Sequence, residues 1–590
     1  MKLRASLMMA TALTVISPLA ASAEIKLNAV PFPITDAAKR AIVTTNAVTI
    51  DGKSADLAYH TLARSGDIIG GVTFSQLTDQ NGDPIVGESE YGSVDADFTS
   101  LLSIGEKLFS ITHFESRPAA MYLSEVAQDD AGNLTYTSTK PIDFSAVGGL
   151  WVPCAGSVTP WMTHLGSEEY PADAREHFEA NALSDIDDYN YAMAAYFGVN
   201  PTETIQDASG AETLKMTLEE FRSVYNPYQY GYPVEVTVTE DGTATPAKHY
   251  AMGRVAVELA NVMPDQKTAY ISDDGTNVGL FRFVADTAAD LSSGQLYAAK
   301  WTQTSDTGAG QANISWIDLG HADNATIQTA IDAKTGFADI FDTADINEDG
   351  TCPEGFLGSN AEARAECLAV KPGMEMIASR LETRRYASML GATTEFRKME
   401  GNVYNPENNS LYLAMSEVSK AMTDGAEGDL GGRNDVRLTQ NNCGAVYELP
   451  LDENYVATAM NGVLAGSPIT YPDTSPYSGN NCAIGGIANP DNITYIPGRA
   501  TLLIGEDTGS GHQNDAAWAM DTQTGALTRI MTTPYGSELT SLDWYEDVNG
   551  HGYLMAVVQH PYGESDEDKA VSPDDTRAYV GYVGPFPTAN

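Results

Sequence analysis

A lone thiol, Cys154, stands fourteen residues ahead of two adjacent carboxylates, Glu168 and Glu169, with a Thr159-Pro160-Trp161 turn between them. A soft thiolate and hard carboxylates in one short unit are ligand types for metal ions, and for more than one kind of metal. The same residues also fit a buried structural cysteine beside a solvated acidic turn, because free cysteine is mostly a small core residue. Five further stretches repeat the arrangement with a carboxylate in place of the thiol. Asp97 precedes Glu115 by 18 residues, Glu258 precedes Asp273-Asp274 by 15, and Glu400 precedes Glu417 by 17. Asp491 precedes Glu506-Asp507 by 15, and Glu538 precedes Gln559-His560 by 21.

The elements that must position these residues are short β-type runs separated by turns. Val255–Leu259 and Thr268–Ser272 flank a Met-Pro-Asp-Gln-Lys turn, and Tyr404–Ser410 is a turn before Leu411–Met415. Thr501–Ile504 and Gly552–Val558 read the same way. A hairpin returns its chain to the end where it began, so both ligand-type residues of a unit share one rim. Six such units predict an all-β chain, a six-bladed β-propeller with a carboxylate-rich rim around its channel. Consecutive strand residues face opposite sides, so both members of an adjacent acid pair reach one site only where the strand has ended or bulged.

Two partly helical insertions interrupt the pattern, at about 171–232 and 323–390. The first is expected to hold helices over Asp173–Phe197 and Leu214–Tyr225, the second over Thr326–Ile340 and Ala361–Leu381. Loops of this size on a propeller serve as lids, as rims or as packing. Asp345-Ile-Asn-Glu-Asp-Gly350 matches the opening of an EF-hand loop, but its twelfth position is Phe356. A calcium site and an ordinary Asx-rich turn both remain open there.

The chain carries 33 basic and 80 acidic residues, a net charge of −47. That balance argues against nucleic acid and anionic membranes as partners. Lys2 and Arg4 precede an apolar run from Ala5 to Leu19, and Ala21-Ser22-Ala23 fits a cleavage site before Glu24. Residues 1–23 therefore read as a Sec-type signal peptide, and the mature chain, 24–590, as periplasmic or extracellular. Among five cysteines, Cys352 with Cys367 and Cys443 with Cys482 each flank a local loop suited to a disulfide. Cys154 is the one left over.

Four segments together resemble the PhoX-type alkaline phosphatase family. They are Cys154-Ala-Gly with Thr159-Pro-Trp161 and Glu168-Glu169; Met252-Gly-Arg with Glu258 and Tyr270-Ile-Ser-Asp-Asp274; Gly391-Ala-Thr with Arg397 and Glu400; and a closing run. That run holds Pro490-Asp-Asn492, Glu506-Asp507, Glu538 and Gln559-His-Pro561. The resemblance implies a six-bladed propeller that hydrolyses small phosphate monoesters with a cluster of Fe³⁺ and Ca²⁺; the oligomeric state stays open, with a monomer favoured. It implies Cys154 as thiolate ligand to iron, with Glu168, Glu258, Asp273, Glu400, Asp491, Asp507 and Glu538 as carboxylate ligands. Glu169, Asp274 and Glu506, the partners in the adjacent pairs, join them as metal-ligand candidates. Arg397 and Glu400 take catalytic roles by the same resemblance, and Arg397, Lys398 and His560 contact substrate.

The residues are chemically compatible with that implication. So acidic a chain repels a phosphate dianion, and bound cations would invert the field locally. Arg397 adds a planar donor fork matched to phosphate. Two departures stand out. Val257 occupies a position where the family often has His, and Arg397-Lys-Met-Glu400 is one residue longer than the family's Arg-x-Glu. The second leaves either Arg397 or Lys398 to hold phosphate. The alternatives are another calcium-dependent propeller hydrolase of lactonase or phytase type, which has no use for a thiolate, and a non-enzymatic calcium-stabilised propeller.

Overall fold

Short runs rich in Val, Ile, Leu and Tyr, cut by Gly, Asn and Asp turns, pair with their sequence neighbours into antiparallel sheets. The computed structural model describes residues 25–85, 89, 91–206 and 212–588, so the expected signal peptide lies outside the described residues. The innermost strands of the sheets are β1 (Ala96–Ile104), β2 (Ser157–Val158), β3 (Val257–Val262), β4 (Met399–Asn405), β5 (Pro490–Ile496) and β6 (Glu538–Val548). Outward from β1 follow Lys107–Phe114, Ala120–Gln128 and Leu134–Pro141; from β2, His164–Gly166, Val234–Val238 and Ala244–Lys248. The sheets starting at β3 and β4 are joined at their outer edges, where Gln311–Asp323 pairs with Ala459–Ala465. β1 packs on β2 and β6, β3 on β2 and β4, and β5 on β4 and β6, so contact runs from β1 around to β1 again.

The core lies between consecutive sheets and follows from the two-residue period of a strand. On Ser410–Met415, Leu411, Leu413 and Met415 face the sheet of β3, while Tyr412 and Ala414 face the sheet of β5. Both faces are covered, which is why this strand reads as an unbroken apolar run. The ring is fastened by its two ends. Ala58–Arg64 pairs antiparallel with Tyr579–Pro587 and forms the outer edge of the β6 sheet.

The insertions are less helical than expected. Within 171–232 the helices are Ala174–Glu179 and Leu218–Val224, with a 3-10 stretch over Asp188–Phe197. Within 323–390, Asn324–Asp332, Phe337–Ile340, Glu375–Leu381 and Thr383–Leu390 are helical. The expected helix Ala361–Leu381 is instead mostly β. Arg364–Val370 is the central strand of a three-stranded sheet, held by the Cys352–Cys367 disulfide, and the helix begins only after the Pro372-Gly373 turn. The EF-hand-like stretch forms an Asx-rich turn in which Asp349 accepts from the Thr351 backbone at 3.0 Å.

Charge pairs, buried around Arg385 and partly exposed at Arg364, tie the two insertions together. Arg385 meets Glu382 at 2.8 Å, Glu366 at 2.7 Å and Asp173 at 3.0 Å. Arg175 reaches Glu366 at 2.7 Å, and Arg364 reaches Glu176 at 2.6 Å. Cys443–Cys482 is the second disulfide, and Cys154 is free and buried.

Candidate metal centre

Four innermost strands share one irregularity. Pairing jumps between Ala96 and Thr99 in β1, Val257 and Ala260 in β3, Met399 and Asn402 in β4, and Pro490 and Ile493 in β5. The first residue inside each jump is an acid: Asp97, Glu258, Glu400 or Asp491. A bulge interrupts the ladder and re-aims a side chain, and four of them aim four acids at one end of the ring. Gly401 lets adjacent bulges approach, since a Cβ there would stand 2.9 Å from the Asp491 carbonyl oxygen.

The resulting cluster is continuous. Ligand atoms of Asp97, Glu115 and Cys154 lie within 4.8 Å of one another, as do those of Cys154, Glu169 and Glu258, and those of Glu258, Glu400 and Asp491. Cys154 and Glu258 are each shared by two groups. Burial and mutual repulsion push these groups toward their protonated forms. Asp97 rises to about 6, while Glu115 and Asp491 rise to about 8. Burial raises Glu169, Glu258, Glu400, Glu538 and the Cys154 thiol well above their ordinary values, and neighbouring carboxylates add to it. For Glu538 those neighbours are Asp507, Asp97, Asp491 and Glu115, which places it against the same cluster.

The adjacent acid pairs divide in one consistent way, with the first member behind the site and the second facing it. Glu168 is paired with the buried Lys248 at 2.8 Å and accepts from the backbone of Trp151 and Gly231. Asp273 is held by Arg384 and by the backbone N–H groups of Ala256 and Gly279. Glu506 accepts from Trp518 Nε1 at 2.7 Å, from His512 at 2.9 Å and from the backbone of Ala488 and Ala516. These three acids have their hydrogen-bonding capacity taken up by the fold. Glu169, Asp274 and Asp507 lie just past the strand ends and turn to the cluster instead, so alternation along the chain decides the split.

A family model described as alkaline phosphatase PhoX matches residues 118–562, three quarters of the chain. The chain belongs to this family. PhoX of Pseudomonas fluorescens, solved in complex with vanadate, a transition state analogue, shares the fold. Their TM-score is 0.58 at 18% identity, over 95% of this chain and 98% of that one. A putative 6-phosphogluconolactonase from Bacteroides uniformis aligns over 78% of this chain and 91% of its own, at 12% identity and a TM-score of only 0.28. No curated protein sequence matches the chain. Membership of the PhoX family makes this protein a metal-dependent phosphoric monoester hydrolase acting on small molecules.

The donor set suits the metals a PhoX-family enzyme needs. Asp97 Oδ2 and Glu258 Oε1 are buried oxygens without a hydrogen-bond donor among the described residues. Such orphans are costly unless a cation meets them. Carboxylate oxygens suit calcium and the thiol suits a softer metal.

The cations at the PhoX-family site are few. Lys398 Nζ lies 3.5 Å from Glu400, 3.7 Å from Asp507 and 4.0 Å from Asp274. Arg397, the other phosphate-holding candidate, turns elsewhere: it donates to Glu417 at 3.3 Å and to Thr276 at 3.1 Å. Lys398 sits at φ 46°, a left-handed kink between the strand Phe396–Arg397 and β4, and the kink sends its ammonium inward. His560 bridges Glu564 at 3.0 Å and Asp95 at 3.5 Å. Although burial opposes it, those two carboxylates hold the imidazole well above its ordinary pKa, so it is charged at neutral pH.

Asp97 and Glu115 stand outside the expected ligand set, although their spacing matches the other hairpins. The sequence does not point to Tyr170, whose hydroxyl donates to Asp274. Arg117, stacked on the Tyr189 ring and donating through Nε to the Tyr189 carbonyl at 3.1 Å, was missed as well. Tyr189 belongs to the first insertion, and no local pattern marks that long-range stack.

Proposed function

We propose that this chain is an exported alkaline phosphatase whose sheets are the six blades of a β-propeller and whose acid cluster holds Ca²⁺ and Fe³⁺. The observation that carries the proposal is the run of three ligand groups linked through Cys154 and Glu258. Cys154 is the iron ligand, with Glu169 and Glu258 beside it. Asp97, Glu115, Glu400, Asp491, Asp507, Glu538 and Asp274 supply the oxygens for calcium. When bound, the ions neutralise the phosphoryl oxygens, act as Lewis acids and generate the nucleophile.

The protein's own residues do the rest. Lys398 offers its ammonium to a phosphoryl oxygen from within the ring of acids. Three carboxylates hold that ammonium in place, and their nearby charges keep it protonated. Tyr170 donates to Asp274 Oδ2, the same oxygen that faces Lys398 at 4.0 Å, and so fixes the orientation of that carboxylate. His560 keeps its proton between Asp95 and Glu564 and adds a second positive charge near Asp507. Both cations favour a dianionic ester over a neutral one.

Metal analysis with a simple aryl phosphate assay tests the proposal. Calcium and iron are expected with the purified protein, and vanadate is expected to inhibit competitively, since it mimics the transferring group. Undiminished turnover in a chelator that removes every bound ion would overturn it.

A further inference from the structure

Behind the thiol lie two imidazoles that the chemistry above does not use. His113 and His164 are both 0% exposed. Their Nε2 atoms are 2.6 Å apart, His113 Nδ1 is 2.6 Å from the Cys154 carbonyl oxygen, and His164 Nδ1 is 2.9 Å from Ser100 Oγ. The geometry fixes where each proton sits. A carbonyl only accepts, so His113 Nδ1 donates to Cys154. Neither ring pairs with a carboxylate among the described residues, and burial disfavours a charged ring. A neutral His113 with its proton on Nδ1 must accept at Nε2, so His164 donates from Nε2. His164 then accepts at Nδ1, and Ser100 donates. Every hydrogen bond in this chain points toward the Cys154 carbonyl.

The surroundings are shaped around the pair. Phe98, next to Asp97, packs against both rings with centroids 5.7 Å away. A Cβ on Gly166 would stand 2.8 Å from His113 Nε2, and one on Gly156 would stand 2.7 Å from Phe98. His113 is two residues before Glu115, and His164 opens the strand His164–Gly166, which ends three residues before Glu169. The pair therefore touches the segments that carry Asp97, Glu115, Cys154 and Glu169.

We propose that Ser100, His164 and His113 form a one-directional hydrogen-bond relay that clamps the Cys154 backbone and so aims its Sγ into the metal cluster, making both histidines positioning residues. The metal part of this inference rests on the reading of Cys154 as an iron ligand. Such outer partners of a ligand typically change metal affinity or activity by about 10–100-fold when removed.

Neutron diffraction from the metal-loaded protein in D₂O tests the relay directly. Deuterons are expected on His113 Nδ1, His164 Nε2 and Ser100 Oγ; a deuteron on His113 Nε2 or His164 Nδ1 overturns the relay. Two variants test the positioning. His113→Asn keeps a donor where Nδ1 stood, whereas His113→Leu fills the space without one. His113→Leu is expected to move Cys154 Sγ by about 1 Å in a crystal structure. It should also weaken the thiolate absorption band and lower kcat/KM by about tenfold, with His113→Asn within about threefold of the parent. An unmoved Sγ in His113→Leu, or equal loss in both variants, overturns the positioning role. If the parent protein has neither band nor iron, the iron reading fails, while the deuteron map and the Sγ position still decide the relay.

Discussion

Between the two insertions, the buried Glu366 and Glu382 and the half-buried Asp173 meet Arg385, which reaches all three within 3.0 Å. At the end of the ring, Asp97, Glu169, Glu258, Glu400, Asp491 and Glu538 are buried as deeply, and one lysine reaches into them. Burial alone would raise Asp173, but Arg385 and Arg364 hold it below its ordinary value. Glu115 and Asp491 in the cluster rise instead to about 8, through burial and then repulsion from other acids. Among the described residues, then, one region neutralises its acids internally and the other leaves that to cations from outside. The chain has 33 basic residues for 80 acidic ones, and where it spends arginines marks where the fold must stand without metal.

Four experiments break or sharpen that contrast. Chelation should have the largest effect, lowering activity by about 1,000-fold or more, since the ions carry most of the transition-state charge. It should also change how stability depends on pH. Without metal, the folded-state values of about 6 for Asp97 and about 8 for Glu115 and Asp491 exceed the unfolded ones, so the native state binds more protons between about pH 4 and 8. Stability of the stripped protein should fall as pH rises through that window, and urea midpoints at pH 5 and pH 8 in chelator check the sign. A midpoint that rises with pH would contradict the contrast.

Next in size is Arg385→Met. It leaves three carboxylates, two of them buried, without their shared partner and should cost about 3–5 kcal/mol of stability. Denaturation of the metal-loaded protein measures this, with metal content unchanged in the fraction that folds. Cys154→Ser follows. Colour and iron should vanish together and activity drop by about 100-fold, with most calcium kept, because calcium takes oxygen ligands. Full iron retention would make Cys154 a core residue. The smallest effect belongs to Lys398→Met, expected to lower kcat/KM by about tenfold, with Arg397→Lys within about twofold. A larger loss in Arg397→Lys would return the phosphate to the arginine.

The sequence made some of this legible. Leu411–Met415 and Thr501–Ile504 announce strands, and regular spacing leads to Glu258, Glu400 and Asp491, which the structure brings together. The rule that strand neighbours face apart anticipates a division within Glu168-Glu169. It does not say which member faces inward, because that depends on where pairing ends. Arg384 and Lys248 could not be found from sequence, since each lies far along the chain from the acid it holds. The helix expected over Ala361–Leu381 failed for a related reason. Its apolar spacing suits a helix, but the disulfide at Cys367 and two flanking strands select extended backbone.

The pairing of Ala58–Arg64 with Tyr579–Pro587 also has a consequence for the order of assembly. In chain order Ala58–Arg64 precedes every acid of the cluster, and Tyr579–Pro587 follows every one of them. Until that strand pairs, β6 has His551–Gln559 beside it, but its sheet is not yet tied to Ala58–Arg64. The acids of the cluster, from Asp97 to Glu538, lie between these two strands in the chain, so all of them are present before the clasp can close. Closure of the clasp is then the last strand pairing that chain order allows. Joining the two clasp strands by a short linker and opening the chain in an outer turn would reverse that order while leaving every ligand in place.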